Sequence, residues 1–352
     1  MPHHGFAGTG VRAAQLLHSE RQRHRAAAEN CRKAGLPVDS WHGRGLMLSR
    51  DCVEWGYRLI LGRDPESEGV ISEKMTCEDY RDLSGQLIYS DEFISKQPSF
   101  MPPLNKWVMA ESELGFKIWV NLADTAISWE ILRNRFESAE VAFVKSHIRE
   151  GDVIIDIGAN IGFFSMLFSK LVGPTGRVIG FEPMPFLFER AAMSARENNF
   201  DRCEIHNVAL ASEAGIAHLV YAPGSPNWGG SFLSFGGSIL PDHAAVPVSV
   251  QPLAKYVGDL DVKLVKIDVE GGEFFVISSA LDFFRRARPI ILSEIHSDQL
   301  RRVSGVSAKQ YVTLIASAGY DCFELKDEGG LGKQLTGDEE ITVTNVVFLP
   351  NG

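Results

Sequence analysis

Four groups of acidic residues in this chain each sit at the end of an apolar run of strand length, where a sheet delivers side chains to a ligand. Asp156 closes Val153-Ile154-Ile155 and is followed by Gly158, Ala159, Asn160 and Gly162. Glu182 closes Val178-Ile179-Gly180-Phe181, 26 residues after Asp156. Asp268, Glu270 and Glu273 crowd Lys266-Ile267-Asp268-Val269-Glu270-Gly271-Gly272-Glu273, and Glu294 and His296 end Ile291-Leu292-Ser293-Glu294-Ile295-His296. A carboxylate at Glu182 suits the two hydroxyls of a ribose. Asp156 suits an ammonium and repels a phosphate. The glycines are spaced G-x-x-x-G and not G-x-G-x-x-G, so the turn is no pyrophosphate cradle and a nicotinamide oxidoreductase is excluded. S-adenosylmethionine fits a ligand with a ribose, an amino group and no pyrophosphate. Its carboxylate is expected at the backbone N–H groups of 158–162, and its adenine near Asn207 and Ala209.

The later carboxylates serve a second substrate. A hydroxyl must shed a proton as it attacks a methyl group, so a carboxylate or imidazole beside it is useful. Asp268 or His296 is the expected base, with Glu270 orienting the acceptor. The alternatives are that Asp268, Glu294 and His296 hold a divalent ion, and that His296 is a strand-end histidine satisfied by its neighbours; no metal is assigned. Glu273 also suits a helix start. Asn227-Trp228-Gly229-Gly230-Ser231 is expected to line the acceptor pocket, tryptophan being a face on which a sugar stacks; an ordinary loop is the alternative.

Strands and helices must alternate to place these groups. Strands are expected over 152–157, 177–182, 203–208, 263–268 and 289–295, with helices over 161–172, 185–199, from 272, and over 307–318. The last two strands, 320–325 and 341–349, have only a polar, glycine-containing loop between them and should pair as an antiparallel hairpin. A glycine- and aromatic-rich insertion occupies about 210–245. Upstream, 106–123 reads as a hairpin and 138–149 as a helix. The fold class is α/β, an open Rossmann-like sheet.

The 352 residues suit one large domain and a smaller one. Residues 1–50 form a basic arm, partly disordered or helical, carrying a net charge of +4 over 11–34 against −10 for the whole. Residues 51–96 form a small helical module, 97–105 a proline-containing linker, and 106–352 the catalytic domain. A charge of −10 argues against general nucleic-acid binding, while the arm permits weak contact with an anionic surface. The five cysteines, Cys31, Cys52, Cys77, Cys203 and Cys322, contain no C-x-x-C pair, so neither zinc nor a disulfide framework is expected. No apolar run is long enough to span a membrane and no secretory leader is evident, so the expected location is the cytoplasm.

In this order the four motifs, with Phe136-Glu137 upstream, resemble the FkbM family of S-adenosylmethionine-dependent methyltransferases over about residues 120–350. The resemblance implies a seven-stranded class I methyltransferase sheet and methylation of hydroxyls, often on sugars, glycolipids or polyketides. Asp268-Val269-Glu270 stands where amine methyltransferases commonly carry Asn-Pro-Pro-Tyr, which favours oxygen as acceptor. Tyr57-Arg58-x-x-Leu61-Gly62-Arg63-x-Pro65-x-x-x-Gly69, then Ser90-x-Glu92-Phe93, resembles a helical module of bacterial proteins linked to surfaces and glycans. The expected function is O-methyl transfer to a sugar, glycolipid or related hydroxylated metabolite. The alternative is an adaptor that uses the helical module to bind a partner and transfers little or nothing.

Overall fold

The computed structural model describes residues 48–77, 80–88, 90–96, 106–223, 228–236 and 242–352. Residues 1–47 of the basic arm, Cys31 among them, the linker and Asn227 lie outside the described residues. The chain divides into two compact units, residues 1–101 and 102–352.

In the first unit α1 (Arg50–Gly56) runs into one π turn, Tyr57–Leu61, and is followed by α2 (Glu68–Lys74), α3 (Tyr80–Ile88) and α4 (Asp91–Lys96). The segment read as one turn, 62–69, therefore passes into a helix at Glu68: the Ser67 side chain accepts from the backbone N–H of Val70 and starts it. Val53, Tyr57, Leu61, Leu83, Leu87 and Phe93 form a core of their own. Arg63 ties the ends together, bonding Glu66 and Glu92.

The second unit opens with the hairpin β1 (Trp107–Glu111) and β2 (Lys117–Asn121), then α5 (Ser128–Leu132) and α6 (Ser138–His147). Next come β3 (Val153–Ile157), α7 (Phe163–Val172), β4 (Arg177–Phe181), α8 (Pro185–Glu197) and β5 (Cys203–His206). An excursion follows: β6 (Ala209–Leu210), β7 (Gly215–Tyr221), β8 (Phe232–Ser234) and β9 (Ala244–Gln251), then α9 (Ala254–Val257). The chain returns through β10 (Leu264–Ile267), α10 (Glu273–Ser278), α11 (Leu281–Ala287), β11 (Ile290–His296), α12 (Ser297–Val303) and α13 (Ala308–Ala316). It closes with β12 (Tyr320–Leu325), β13 (Leu331–Leu335) and β14 (Val343–Pro350).

The main sheet has eight strands in the order β13-β12-β14-β11-β10-β3-β4-β5. β3, β4, β5, β10 and β11 are mutually parallel, and β14 runs antiparallel between β11 and β12. Eight strands thus stand where seven were expected. The added strand, β13, lies inside the segment read as a loop between the last two strands and pairs with β12 at the sheet edge. Alternate residues of the central strands feed different layers: Ile154, Val178 and Leu264 pack with α6 and α7, while Ile155, Ile179 and Val265 pack with α10, α11 and α13. That two-sided burial is why β3 reads as an unbroken apolar run.

The insertion is no loop. β6, β9, β7 and β8 form a second, four-stranded sheet. Its strand positions alternate, with Ala217, Leu219, Val248 and Val250 buried between more exposed neighbours. The glycines and aromatics of its connections masked that period.

Candidate active site

At the carboxyl ends of β3, β4 and β10 lies a cavity of about 420 Å³. β3 and β10 are in register, with Lys266 opposite Asp156, so two charged residues of adjacent strands meet at its floor. The turn after β3 is held by interlock. Gly158 has φ +86°, and a Cβ there would stand 1.8 Å from the Asp268 carbonyl oxygen. Only glycine admits both that conformation and that approach. Gly158→Ala is expected to destabilise the unit by roughly 3 kcal/mol or more, read as a fall in Tm. Gly162, φ +90°, instead makes room for α8: its Cβ would lie 2.9 Å from that of Ala191. It serves helix packing and does not line the cavity.

Asp156 is 1% exposed. Its Oδ2 accepts from Ser165 Oγ at 2.5 Å, and its Oδ1 is buried with no partner. Burial pushes its pKa up, against the pull of Lys266. Glu182 accepts from the Asn160 N–H through Oε2 and the Met184 N–H through Oε1, both at 2.8 Å. Each oxygen retains a second lone pair toward the cavity. Burial raises Glu182 to about 7. Asn207 is not at the cavity: its amide donates to the carbonyls of Glu182 and Pro183, fixing the turn that presents Glu182. Ala209 does line the cavity, with Val208 and Leu210.

The turn holds no free anion nest. Every backbone N–H from Gly158 to Gly162 donates within the protein: Gly158 and Ala159 to the Phe181 carbonyl, Asn160 to Glu182, Ile161 to the Asn160 side chain and Gly162 to the Ala159 carbonyl. The expectation that these groups bind a carboxylate is corrected on that ground.

The opposite wall is acidic. Lys266 Nζ lies 3.0 Å from Asp268 Oδ2, 3.8 Å from Glu137 Oε2 and 4.7 Å from the centre of the Phe164 ring. Burial disfavours its charge, but Asp268, Glu137 and Asp156 outweigh it and raise its pKa. Glu137, just before α6, has φ +44° and is pushed to about 8 by burial despite Lys266. Glu270, φ +55°, accepts from Gln299 Nε2 and is raised to about 8 by burial and by Asp268. With Asn160, φ +52°, three non-glycine residues lining one cavity hold left-handed backbone, which marks stored strain. Glu273 Oε1 accepts from Val269 and Gly271 N–H at 3.1 and 3.2 Å, so it ties the 268–272 turn and does not face a ligand.

Glu294 lines both the main cavity and an adjoining chamber of about 130 Å³. Its carboxyl accepts no hydrogen bond among the described residues. Burial and Asp268 raise it to about 7, against Lys266. His296 lines neither space. It ends β11 opposite Val343 and caps α12, with Nδ1 buried and unpartnered. The expectation of His296 as base is corrected: the strand passes into α12 at His296, and the ring lines neither space. Among the described residues no cluster of three or more His, Cys, Asp or Glu is arranged to hold a metal ion. Trp228, Gly229, Gly230 and Ser231 do line the cavity. Trp228 stacks 6.5 Å from Trp107 and meets Phe186 edge-on at 4.6 Å. Glu137 and Lys266 stood in the motifs without an assigned role, because only the strand order brings them together.

Raised carboxyls predict a falling stability with pH. Glu182 holds its proton to about 7 when folded, against 4.5 for a free glutamate. Between those values the unfolded chain has ionised and the folded chain has not, so stability declines across the interval and levels off above it. Glu182 alone accounts for roughly 3 kcal/mol. The Tm of the ligand-free protein is expected to drop steadily from pH 5 to 8.

Residues 156–322 match the methyltransferase FkbM domain. The similarity extends over just under half of the chain. A stretch of 80 residues is 38% identical to the 31-O-demethyl-FK506 methyltransferase FkbM of Streptomyces tacrolimicus, covering 22% of this chain and 28% of that one. Another of 143 residues is 27% identical to Methyltransferase 1 of Beauveria bassiana strain ARSEF 2860, covering 35% of this chain and 56% of that one. The chain thus matches between about a quarter and just over half the length of these curated relatives. The crystal structure of Methyltransferase FkbM from Methylobacillus flagellatus KT aligns at 14% identity and TM-score 0.39, covering 92% of this chain and 70% of that one. An FkbM domain is a methyltransferase domain whose cofactor is S-adenosylmethionine. The cavity fits that cofactor on its own evidence: the orphaned Asp156 Oδ1 asks for a cation, and the free lone pairs of Glu182 ask for hydroxyls.

Proposed function

We propose that this chain is an O-methyltransferase that moves the methyl group of S-adenosylmethionine to a hydroxyl of a sugar, glycolipid or related hydroxylated metabolite. The observation that carries the proposal is the pairing, in one cavity, of a buried unpartnered Asp156 oxygen with a wall of carboxyls at Asp268, Glu270 and Glu294. Asp156 takes the donor's ammonium and Glu182 its ribose hydroxyls. Gly158, Ala159 and Asn160 let the donor approach the backbone. The sulfonium supplies an electrophilic methyl group. Glu294 accepts the hydroxyl's proton. Asp268, its carboxylate engaged by the Lys266 ammonium, orients the acceptor with Glu270. Much of the rate comes from alignment of the reacting atoms. Trp228 offers the acceptor an apolar face. The Streptomyces relative is named for methylating an oxygen, which supports the choice of hydroxyl.

Residues 106–352 act as the catalytic domain in this reading. Residues 51–96 are a docking module of the surface- and glycan-associated kind, and the protein works in the cytoplasm. No helix among the described residues is long and apolar enough to cross a membrane.

The test is incubation with methyl-labelled S-adenosylmethionine and a fractionated cell extract. Label is expected in carbohydrate or glycolipid fractions as an alkali-stable ether. Label confined to amines overturns the choice of oxygen. Donor binding without transfer to any fraction favours the adaptor.

A further inference from the structure

The cavity's charge is lopsided beyond what holding the donor's two ends requires. Six carboxyl groups, those of Glu137, Asp156, Glu182, Asp268, Glu270 and Glu294, face a single ammonium, that of Lys266. No other lysine, arginine or histidine lines it among the described residues. Asp156 and Glu182 sit at the β3–β4 side. The other four come from the segment before α6 and the ends of β10 and β11, and Lys266 bridges only Asp268 and Glu137. Behind the wall, Glu140 accepts from Asn345 and brings no cation either. One buried Asp156 oxygen facing this space has no partner at all. In a partly enclosed space of low effective dielectric, such a set of groups strongly favours a cationic occupant over a neutral one of the same shape.

A donor that gives its ammonium to Asp156 and its ribose to Glu182 carries its sulfonium on the short chain joining the two. We infer that the acidic wall of Glu137, Asp268, Glu270 and Glu294 recognises the positive charge of the donor's sulfonium, so that the site holds S-adenosylmethionine more tightly than the neutral thioether S-adenosylhomocysteine left after transfer. The inference rests on the donor assignment above. The wall then has a second role, because methyl transfer removes the charge it binds and the spent cofactor is released. The groups bearing on this field are Glu137 and Glu140 from the α6 segment, Asp156 from β3 and Glu182 after β4. The others are Lys266, Asp268, Glu270 and Glu273 around β10, and Glu294 from β11. Except for Lys266 all are acids, so the preference grows as pH rises and they ionise.

Calorimetric titration of the full chain at about pH 8.5, without any acceptor, tests this with three probes. They are S-adenosylmethionine, S-adenosylhomocysteine, and sinefungin, which carries a protonated amine where the donor carries its S-methyl. The donor and sinefungin are each expected to bind at least about tenfold tighter than S-adenosylhomocysteine. Glu294→Gln and Glu137→Gln should narrow that ratio by weakening the two cationic ligands while leaving the neutral one within about twofold. Equal affinities, or tighter binding of S-adenosylhomocysteine, overturn the inference and leave the donor assignment standing. So does a Glu294→Gln or Glu137→Gln protein that binds all three probes more weakly by the same factor. Failure of all three probes to bind the unaltered chain removes the donor assignment and the inference together. The comparison of three probes on unaltered protein decides the matter even where a variant fails to fold.

Discussion

Glu294→Gln is expected to lower kcat by about 10²–10⁴ at saturating donor and acceptor, the usual contribution of a positioned base. Glutamine keeps the size and polarity of the side chain and removes only its capacity to take a proton. Among the described residues Glu294 lines both spaces with neither a hydrogen bond nor an ion pair, unlike Glu137 and Asp268, which pair with Lys266, and burial with Asp268 nearby brings it to about 7. A base with that pKa is largely ionised just above neutrality and still accepts a proton readily. The kcat of the unaltered protein should therefore rise with pH through a limb near 7. In Glu294→Gln that limb should vanish, leaving a low, flat rate. His296→Ala, outside both spaces, should keep kcat within a few-fold. A full rate in Glu294→Gln, or the limb lost instead in His296→Ala, would overturn the assignment.

Asp156→Asn should weaken S-adenosylmethionine binding by about 10–100-fold, the worth of a hydrogen bond to a charged group. The fall should be the same for S-adenosylhomocysteine, since both carry the same ammonium. That equality separates Asp156 from the acidic wall, whose variants act on the cationic ligands alone. Burial raises the Asp156 pKa, so ionising it at neutral pH costs the folded, ligand-free chain stability. The amide that replaces it carries no such charge. The variant should accordingly melt at a higher temperature than the parent without ligand and gain less on adding donor. Differential scanning calorimetry with and without S-adenosylmethionine reads both effects. An unchanged donor affinity would refute the role of Asp156.

The sequence disclosed the parts of the site governed by local rules. β3 and β4 are buried on both faces, so their apolar runs and terminal carboxylates announced themselves, and Asp156, Glu182, Asp268 and Glu270 do reach one cavity. Parity alone placed Glu294 and His296 on one face of β11. It did not show that the chain turns into α12 at His296, whose ring lines neither space. The amide of Asn207 was legible as polar, but its bonds to two carbonyls were not. Nor do the glycines of 158–162 reveal that every N–H of the turn is already engaged. Glu137 and Lys266 lie 129 residues apart and meet only through the strand order. The excursion sheet was hidden by the glycine and aromatic residues of its connections, which blur a two-residue period.

Gly158 and Asp268 touch through backbone, with no room between them for even a methyl group. The turn after β3 and the segment after β10 are therefore in direct contact, and remodelling one disturbs the other. Gly215, Gly230 and Gly236 of the excursion, which also supplies Trp228 to the cavity wall, make no such contact. Directed evolution toward new acceptors has its free variable there, between residues 209 and 251, while a change at Gly158 or Asp268 must be made at both together.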